Sequence, residues 1–391
     1  MKIKTPEYNN ISHKGISSFI ESRVLINKAL VDASIDIPCV VKSNNADERR
    51  ERLSRAGIGW CIGFATPFIT LPVTNRLALK GIAKTYKSFL NKENNIIQIS
   101  NSDLATAPKT EQALKELAEK YKFSPDDIIK KCGGYEKFRK RMINSKTAVR
   151  AFDYLFTAGC LGAIGYFNNW MTKKKTGRSG FSAEFNMAEK SIIEKRAEGY
   201  KKREMLMKTS FASLLTLLCA STLITRKALL SNSQKGILGK LNKHSHLFDY
   251  DDGILMKRLP MFLTMMAAYY GVASASRNST EMKDNLIRSS IGGITFFGGD
   301  ILIGSLLAQI SDKFFNTKII NKECEQNFIN KILPPHKHLK VMSGRDRKVG
   351  TLLFWINMAS LSAIIGFGVP AFINKMILKD VEKAKSDNQG L

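Results

Sequence analysis

Asp300 is the residue whose type and setting point most directly to chemistry. It lies in FFGGDILIG, near the middle of an apolar window that covers 289–310. A carboxylate at the centre of a bilayer is costly unless it lines a cavity, pairs with another group or carries a proton. Gly298 and Gly299 leave space beside it for water, an ion or a neighbouring backbone. Two interpretations remain open: a proton or cation site used in transport, or a carboxylate that joins two helices through a hydrogen bond.

Four of the five histidines form two His-x-His motifs. They are His244 with His246, and His336 with His338. Imidazole nitrogens and carboxylates bind divalent metals, and three aspartates follow the first motif, so a metal site is one hypothesis. A lysine adjoins each motif and would repel a cation, so ordinary loop histidines are the alternative. The sequence assigns no particular cofactor.

Amides and prolines inside or next to the apolar windows are the remaining candidates. Asn357 lies within the last window and Asn75 directly follows the first, where an amide can coordinate a substrate or hydrogen-bond to another helix. Pro67 and Pro72 interrupt the first window, and Pro370 interrupts the last. Because proline has no backbone N–H, each is a candidate position for a helix break or a re-entrant segment. Gly-Phe-x-x-Pro occurs in both windows, either as a remnant of a repeat or by chance.

The elements that must position these residues are apolar helices. The chain has 391 residues, of which 44% are hydrophobic and 24% charged, but the charges are crowded between six apolar windows. The windows are 57–74, 151–170, 207–225, 259–276, 289–310 and 350–374. At about 1.5 Å per residue, even the shortest gives about 27 Å, which just crosses the hydrocarbon layer. The sequence therefore predicts an all-α, polytopic membrane bundle with about six transmembrane helices.

Hydrophilic segments separate these windows. They are a basic polar N-terminal segment 1–56, an insert 75–150, a basic loop or helix 171–206, a loop 226–258, a short link 277–288, a loop 311–349 and a polar tail 375–391. In the insert, a capping residue before EQALKELAEKY predicts one helix, and Ser124-Pro125 predicts the start of another that Gly133-Gly134 ends. In the second window, the glycines of TAGCLGAIG are predicted to let a neighbouring helix approach closely. They are Gly159, Gly162 and Gly165.

Composition narrows the classes of partner and activity. The net charge of +27 predicts an anionic partner or surface, and phospholipid headgroups are the simplest candidate. No nucleic-acid-binding motif accompanies the basic residues. The six cysteines include no Cys-x-x-Cys pair, which argues against a disulfide framework or a zinc site. A nucleophile elbow, a Walker loop and a His-Glu-x-x-His motif are all missing, so the sequence does not favour an enzyme.

Positive charge gives the expected orientation. When the long insert is set aside, more Lys and Arg fall on the face that holds both termini, which predicts cytoplasmic termini. If the first window does not cross the membrane, the chain has five spans, and the two faces differ more strongly in their numbers of Lys and Arg. Richness in Lys, Ile and Asn is compatible with a bacterial inner membrane or an organelle. The leading functional hypothesis is a permease-like transporter of an ion or small solute, and the alternative is a membrane scaffold whose basic loops bind anionic lipid or a cytosolic partner.

Overall fold

A computed structural model gives the fold as a set of helices. It describes residues 16–21, 24–65, 73, 99–106, 111–121, 124–126, 132–231, 235–251, 255–321 and 328–389. In these ranges the strands are one short antiparallel pair, Tyr250–Asp251 (β1) with Leu255–Met256 (β2). The predicted all-α fold class is confirmed for these residues.

The helices are numbered in chain order. They are α1 Ile16–Glu21, α2 Val24–Val41, α3 Ala46–Ala65, α4 Asn101–Thr106, α5 Glu111–Tyr121, α6 Tyr135–Thr176, α7 Lys190–Glu198, α8 Lys201–Ser231, α9 Gly236–Lys243, α10 Arg258–Ser274, α11 Ser279–Ile294, α12 Asp300–Phe314, α13 Phe328–Ile332, α14 Gly344–Ala363 and α15 Val369–Gln389. Two π-helical segments, Thr295–Gly299 and Ile364–Gly368, join α11 to α12 and α14 to α15.

Three continuous helical stretches in the described part are long and apolar enough to cross a membrane. They are Lys201–Ser231, Ser279–Phe314 and Gly344–Asp387, and they contain the third, fifth and sixth predicted windows. The second window lies within α6, which is 42 residues long, and the fourth lies mostly in α10, which has 17 residues. The first window is described only as far as Ala65 and at Val73.

The chain forms two compact units, and the first combines residues of 1–42 with 290–375. Its core joins α2 to the helices around both π-helical segments through buried apolar side chains. They are Val31, Ile35, Cys39, Phe296, Met358 and Ile365. Gly366 allows the closest approach, because a Cβ there would lie 2.4 Å from the carbonyl oxygen of Ser34. Any side chain at 366 would therefore push α2 away.

Pro370 changes the helix without ending it. Proline donates no backbone hydrogen bond, so the helix must rearrange in the turn before it. The wider turns of Ile364–Gly368 occupy that place, and α15 continues through Pro370. The predicted break at Pro370 is therefore a π-helical segment, whereas Pro67 and Pro72 lie outside the described residues. The other π-helical segment directly precedes Asp300, and such segments occur frequently at functional sites.

The second unit, residues 43–289 with 376–391, is built around α6, α8 and α10. Glycine sets the distance between α6 and α10, because a Cβ on Gly271 would lie 2.5 Å from the Cα of Gly162. A Cβ on Gly165 would lie 2.7 Å from the Cβ of Ala275. The prediction of close approach is confirmed for Gly162 and Gly165. It is wrong for Gly159, where an added Cβ would meet nothing within 4 Å.

The hydrophilic insert contributes a small apolar core of its own to this unit. Helix α5 covers the predicted segment from Glu111 to Tyr121. Its buried face packs on α4 and the start of α6 through residues that include Leu104, Leu117 and Phe138. Gly133 and Gly134 have positive φ angles of 73° and 111°, which suits a glycine pair that separates helices.

The link predicted over 277–288 is mostly helical. Helix α11 begins at Ser279, so only residues 275–278 join it to α10. Asn278 explains the early start, because its side-chain Oδ1 accepts the backbone N–H of Glu281 at 2.9 Å, as a helix N-cap does. Charged residues of this segment therefore lie on a helix, and the polar pattern was misleading as evidence for a loop.

We expect Gly271→Val to destabilise the second unit, because the new side chain would force α6 and α10 apart where their backbones touch. The expected loss is about 1–3 kcal/mol, the usual cost of overpacking a close-packed contact. Unfolding of the purified protein by a denaturing detergent measures the change. Gly159→Ala is the matched control and should leave the midpoint unchanged. Equal midpoints for Gly271→Val and the control would contradict the glycine contact.

Candidate functional site

Several residues selected from the sequence meet on α12 in the first unit. A Cβ on Gly304 would lie 3.4 Å from Cε1 of His336 and 3.6 Å from Nδ2 of Asn357. Gly304 follows Asp300 by one helical turn. The missing side chain at 304 therefore lets an imidazole and an amide, which come from distant parts of the chain, contact one helix. We call Glu21, Gly304, His336 and Asn357 the Gly304 site.

Backbone hydrogen bonds fix the loop that carries His336. The residue forms an isolated antiparallel bridge with Ile320, and Lys337 N donates to Ile319 O at 2.8 Å. The carboxylate of Asp312, in the last turn of α12, accepts the backbone N–H groups of Ile319 and Ile320 at 2.8 and 3.1 Å. These bonds hold the backbone around His336 beside the residues that directly follow α12.

Glu21 lies beside both histidines of the second motif. Its side chain is 8% exposed, and its carboxylate oxygens lie 3.7 Å from Nε2 of His336 and 3.8 Å from Nδ1 of His338. The same carboxylate accepts the backbone N–H of Leu339 at 2.6 Å. Both oxygen-to-nitrogen distances are longer than a hydrogen bond, so these are close polar contacts and not hydrogen bonds.

The histidines of the first motif lie in the second unit. His244 and His246 are exposed at the end of α9, with their ring centroids 6.3 Å apart. Among the described residues no group of three or more His, Cys, Asp or Glu side chains is arranged to hold a metal ion. The metal hypothesis stays a prediction.

Two residues of the Gly304 site lie inside the predicted fifth and sixth apolar windows. Gly304 precedes the end of the fifth window by six residues and Asn357 follows the start of the sixth by seven, which places both about 9–10 Å inside at about 1.5 Å per residue. The loop residue His336 therefore reaches below the ends of two apolar windows.

Three of the other predicted site residues, Asn75, Pro67 and Pro72, fall outside the described residues. Asp300 begins α12 directly after the π-helical segment Thr295–Gly299. A carboxylate inside the second window was not among the predicted site residues. Asp153 is fully buried, and Thr157 Oγ1 donates to its Oδ1 at 3.3 Å.

A buried charge network, centred on Arg277, is the main polar feature of the second unit. Its guanidinium, 7% exposed, donates to the two carboxylate oxygens of Glu51 at 2.9 and 2.8 Å. It also donates to the two oxygens of Glu281 at 3.0 and 2.8 Å. Arg277 lies in the short 275–278 link, and its two bidentate pairs join α3 to α11.

Glu51 gains further donors from the end of α6 and from the loop after it. Ser182 Oγ donates at 2.7 Å, and Thr172 Oγ1 also donates to this carboxylate. Burial alone would raise the pKa of Glu51, but the attraction of Arg277 and these hydrogen bonds outweigh it and lower the pKa below its usual value. Glu51 is therefore held ionised in the folded protein.

Glu184 lies beside this network, and its pKa is shifted in the opposite direction from that of Glu51. It is fully buried, accepts a hydrogen bond from Asn278 Nδ2 at 3.1 Å, and lies 3.0 Å from Nη1 of Arg196. Burial raises the pKa of Glu184 to about 7, because Arg196 and Asn278 offset only part of the lost hydration and Glu281 adds repulsion. This carboxyl group is therefore poised to exchange a proton near neutral pH.

Two similar segments form the network, and the sequence analysis did not notice them. They read NADERRERLSR from Asn45 and NSTEMKDNLIR from Asn278, with Asn, Glu, Leu and Arg at the same spacing. Each asparagine accepts the N–H of the glutamate three residues later at 2.9 Å, Glu48 in one case and Glu281 in the other. The signal was available, since Asn-x-x-Glu before a helix is a capping pattern.

We expect Arg277→Met to destabilise the second unit strongly, because it leaves Glu51 and Glu281 buried without their partner. Breaking such a pair typically costs about 3–5 kcal/mol. Denaturant unfolding at pH 7 measures the loss. Arg203→Gln is the matched control, since Arg203 is exposed and donates to Ser279 Oγ at 3.0 Å, and it should change stability by under about 0.5 kcal/mol. A loss for Arg277→Met no larger than the control's would show that the network is not stabilising.

Glu184 should make stability fall as the pH rises. Its pKa in the folded protein, about 7, exceeds the ordinary value of 4.5, so the folded state binds the proton more tightly. Glu184 therefore contributes at most about 3 kcal/mol to the free energy of unfolding. This contribution is complete below pH 4.5 and is lost as the pH rises to 7. Unfolding of wild type and Glu184→Gln across this range isolates the effect. Parallel pH profiles for the two proteins would contradict the raised pKa.

The two polar regions have different chemical capacities. The Gly304 site brings together an amide, an imidazole and a carboxylate, whose polar atoms can bind a small polar species. The Arg277 network is a satisfied ion cluster that fixes helix ends. No family model matches this sequence, and no curated protein or solved structure matches it either.

Proposed function

We propose that this protein is a six-span membrane transporter that moves an ion or small polar solute along a path beside Asp300 and the Gly304 site. The observation that carries the proposal is the packing of His336 and Asn357 onto Gly304, one turn after Asp300. Polar side chains inside apolar helices are costly, and they typically mark ion and substrate pathways.

The interruptions in the two long apolar helices support this proposal. Thr295–Gly299 directly precedes Asp300, and Ile364–Gly368 follows Asn357 by two turns. Interrupted helices release backbone carbonyl groups that can bind ions or polar substrates inside a membrane. The paired segments that begin at Asn45 and Asn278 are consistent with an internal duplication, which many transporters contain.

Six spans require the first window, 57–74, as well as α6 and α10 to cross the membrane in addition to the three long apolar stretches. Exposed apolar side chains extend along α6 from Phe152 to Trp170, about 28 Å at about 1.5 Å per residue. We place the protein in a bacterial inner membrane, with which its richness in Lys, Ile and Asn is compatible. We place both termini on the cytoplasmic side, because more Lys and Arg fall on that face when the insert is set aside. Three long apolar helices are themselves compatible with membrane insertion.

A non-catalytic membrane scaffold is the second candidate. The well-satisfied Arg277 network favours it, since a network that fixes helix ends serves a rigid support as well as a transporter. The two candidates differ at the Gly304 site. A transporter needs water at this depth, whereas a scaffold needs the same side chains sealed by packing.

Thiol labelling distinguishes the candidates. Single cysteines at positions 300 and 357 of a cysteine-free variant are exposed to a membrane-impermeant cationic methanethiosulfonate in reconstituted vesicles. We expect both positions to react, because the proposed path is filled with water. Leu302→Cys and Leu306→Cys are the controls within α12, since both side chains are exposed on the helix surface and would face lipid. They should remain unlabelled.

Lys318→Cys provides the positive control, because Lys318 is exposed in the loop after α12. Labelling at 318 without labelling at 300 and 357, from either side of the membrane, would exclude the path and leave the scaffold. Equal labelling at 302, 306 and 300 would show that α12 is exposed to water all round and is not within a bilayer.

A further inference from the structure

Two neighbouring helix ends in the second unit change from apolar to cationic at the same level. On α6, the exposed Phe167 and Trp170 are followed by three exposed lysines, 173–175. On α8, the exposed cations 201–203 are followed by Met205 and Leu206, which are 72% and 61% exposed. Such large apolar exposure directly beside a cluster of cations is unusual for a surface that meets only water.

Side-chain contacts keep these two transitions in register. Lys208 Nζ lies 5.9 Å from the ring centroid of Tyr166, which joins α8 to α6. The Tyr166 hydroxyl donates to the carbonyl oxygen of Ser274 at 3.1 Å, so α10 holds the same ring. Lys174 Nζ lies 5.3 Å above the ring of Trp170. These contacts therefore place the aromatic residues at the end of α6 beside the beginning of α8.

We infer that this surface binds the headgroups of anionic phospholipids. We call it the Trp170 surface, and its members are Tyr166, Phe167, Trp170, Lys173, Lys174, Lys175, Lys201, Lys202 and Arg203. Tryptophan and tyrosine concentrate at the headgroup level of a bilayer, and basic residues beside them attract anionic lipid. The nearby Glu204 is paired with Lys208 at 2.5 Å, so its charge is locally compensated.

Headgroup binding at the Trp170 surface would also place the boundary of the membrane at this level. Lipid tails would cover the apolar residues of α6 before Trp170 and of α8 after Arg203, while phosphate groups would contact the cations. The inference rests on the membrane insertion in the proposed function and not on transport. A soluble polyanion is the competing partner, but it would leave Met205 and Leu206 exposed to water.

The test measures lipid selectivity of the full-length protein in phospholipid nanodiscs. Spin-labelled phosphatidylglycerol and phosphatidylcholine report the fraction of each lipid that the protein immobilises. We expect phosphatidylglycerol to be preferred, and the preference to fall by at least about two-fold in the triple variant K173Q/K174Q/K175Q. Raising the salt concentration should weaken the wild-type preference, because headgroup attraction is screened.

The matched control removes the same charge elsewhere. K379Q/K383Q/K385Q changes three exposed lysines of α15, and it should retain the wild-type preference. An unchanged preference in the 173–175 variant, an equal fall in both variants, or stronger binding of soluble RNA than of phosphatidylglycerol would each overturn the inference. Extraction of the protein from membranes by alkaline carbonate would instead contradict membrane insertion, which distinguishes failure of the proposed function from failure of this surface.

Discussion

The second unit depends on the requirement that Arg277 be neutralised where water cannot reach it. A buried guanidinium is tolerated only with paired carboxylates and complete hydrogen bonding, and Glu51 and Glu281 provide both. Those partners lie on α3 and α11, so one arginine joins the two helices near their beginnings. Thr172 and Ser182 complete the shell of Glu51 and add the end of α6 to the same network. The polar interactions at this end of the bundle follow from that one charge.

Apolar packing between α6 and α10 in the same unit follows a different rule, because small residues make their contact. Close backbone contact replaces hydrophobic burial, and it requires glycine. Gly162 against Gly271 provides this contact between α6 and α10. The first unit uses the same device where Gly366 meets the backbone of α2. At Gly304, an imidazole and an amide occupy the space that the missing side chain leaves. A glycine that permits close packing elsewhere here brings two polar groups onto α12.

The sequence was informative where one segment determines its own structure. The apolar windows, the helix from Glu111 and the contacts of Gly162 and Gly165 follow from local composition and spacing. The Gly304 site was predicted only as separate residues, His336 and Asn357. Their convergence depends on a loop returning to α12, which no local pattern encodes. The Arg277 network was missed because charged residues before an apolar window resemble a loop, although their Asn-x-x-Glu capping pattern was readable.

Two buried glutamates of the second unit, Glu51 and Glu184, differ most clearly in their pKa values. Glu51 and Glu184 are both buried, yet one pKa is lowered and the other raised to about 7. The difference arises from their partners, since Glu51 receives a bidentate arginine and two hydroxyl groups, whereas Glu184 faces one arginine, one amide and the repulsion of Glu281. A change of pH near neutrality would therefore alter the charge of Glu184 without releasing Arg277. The network can keep its helix ends fixed while its neighbour titrates.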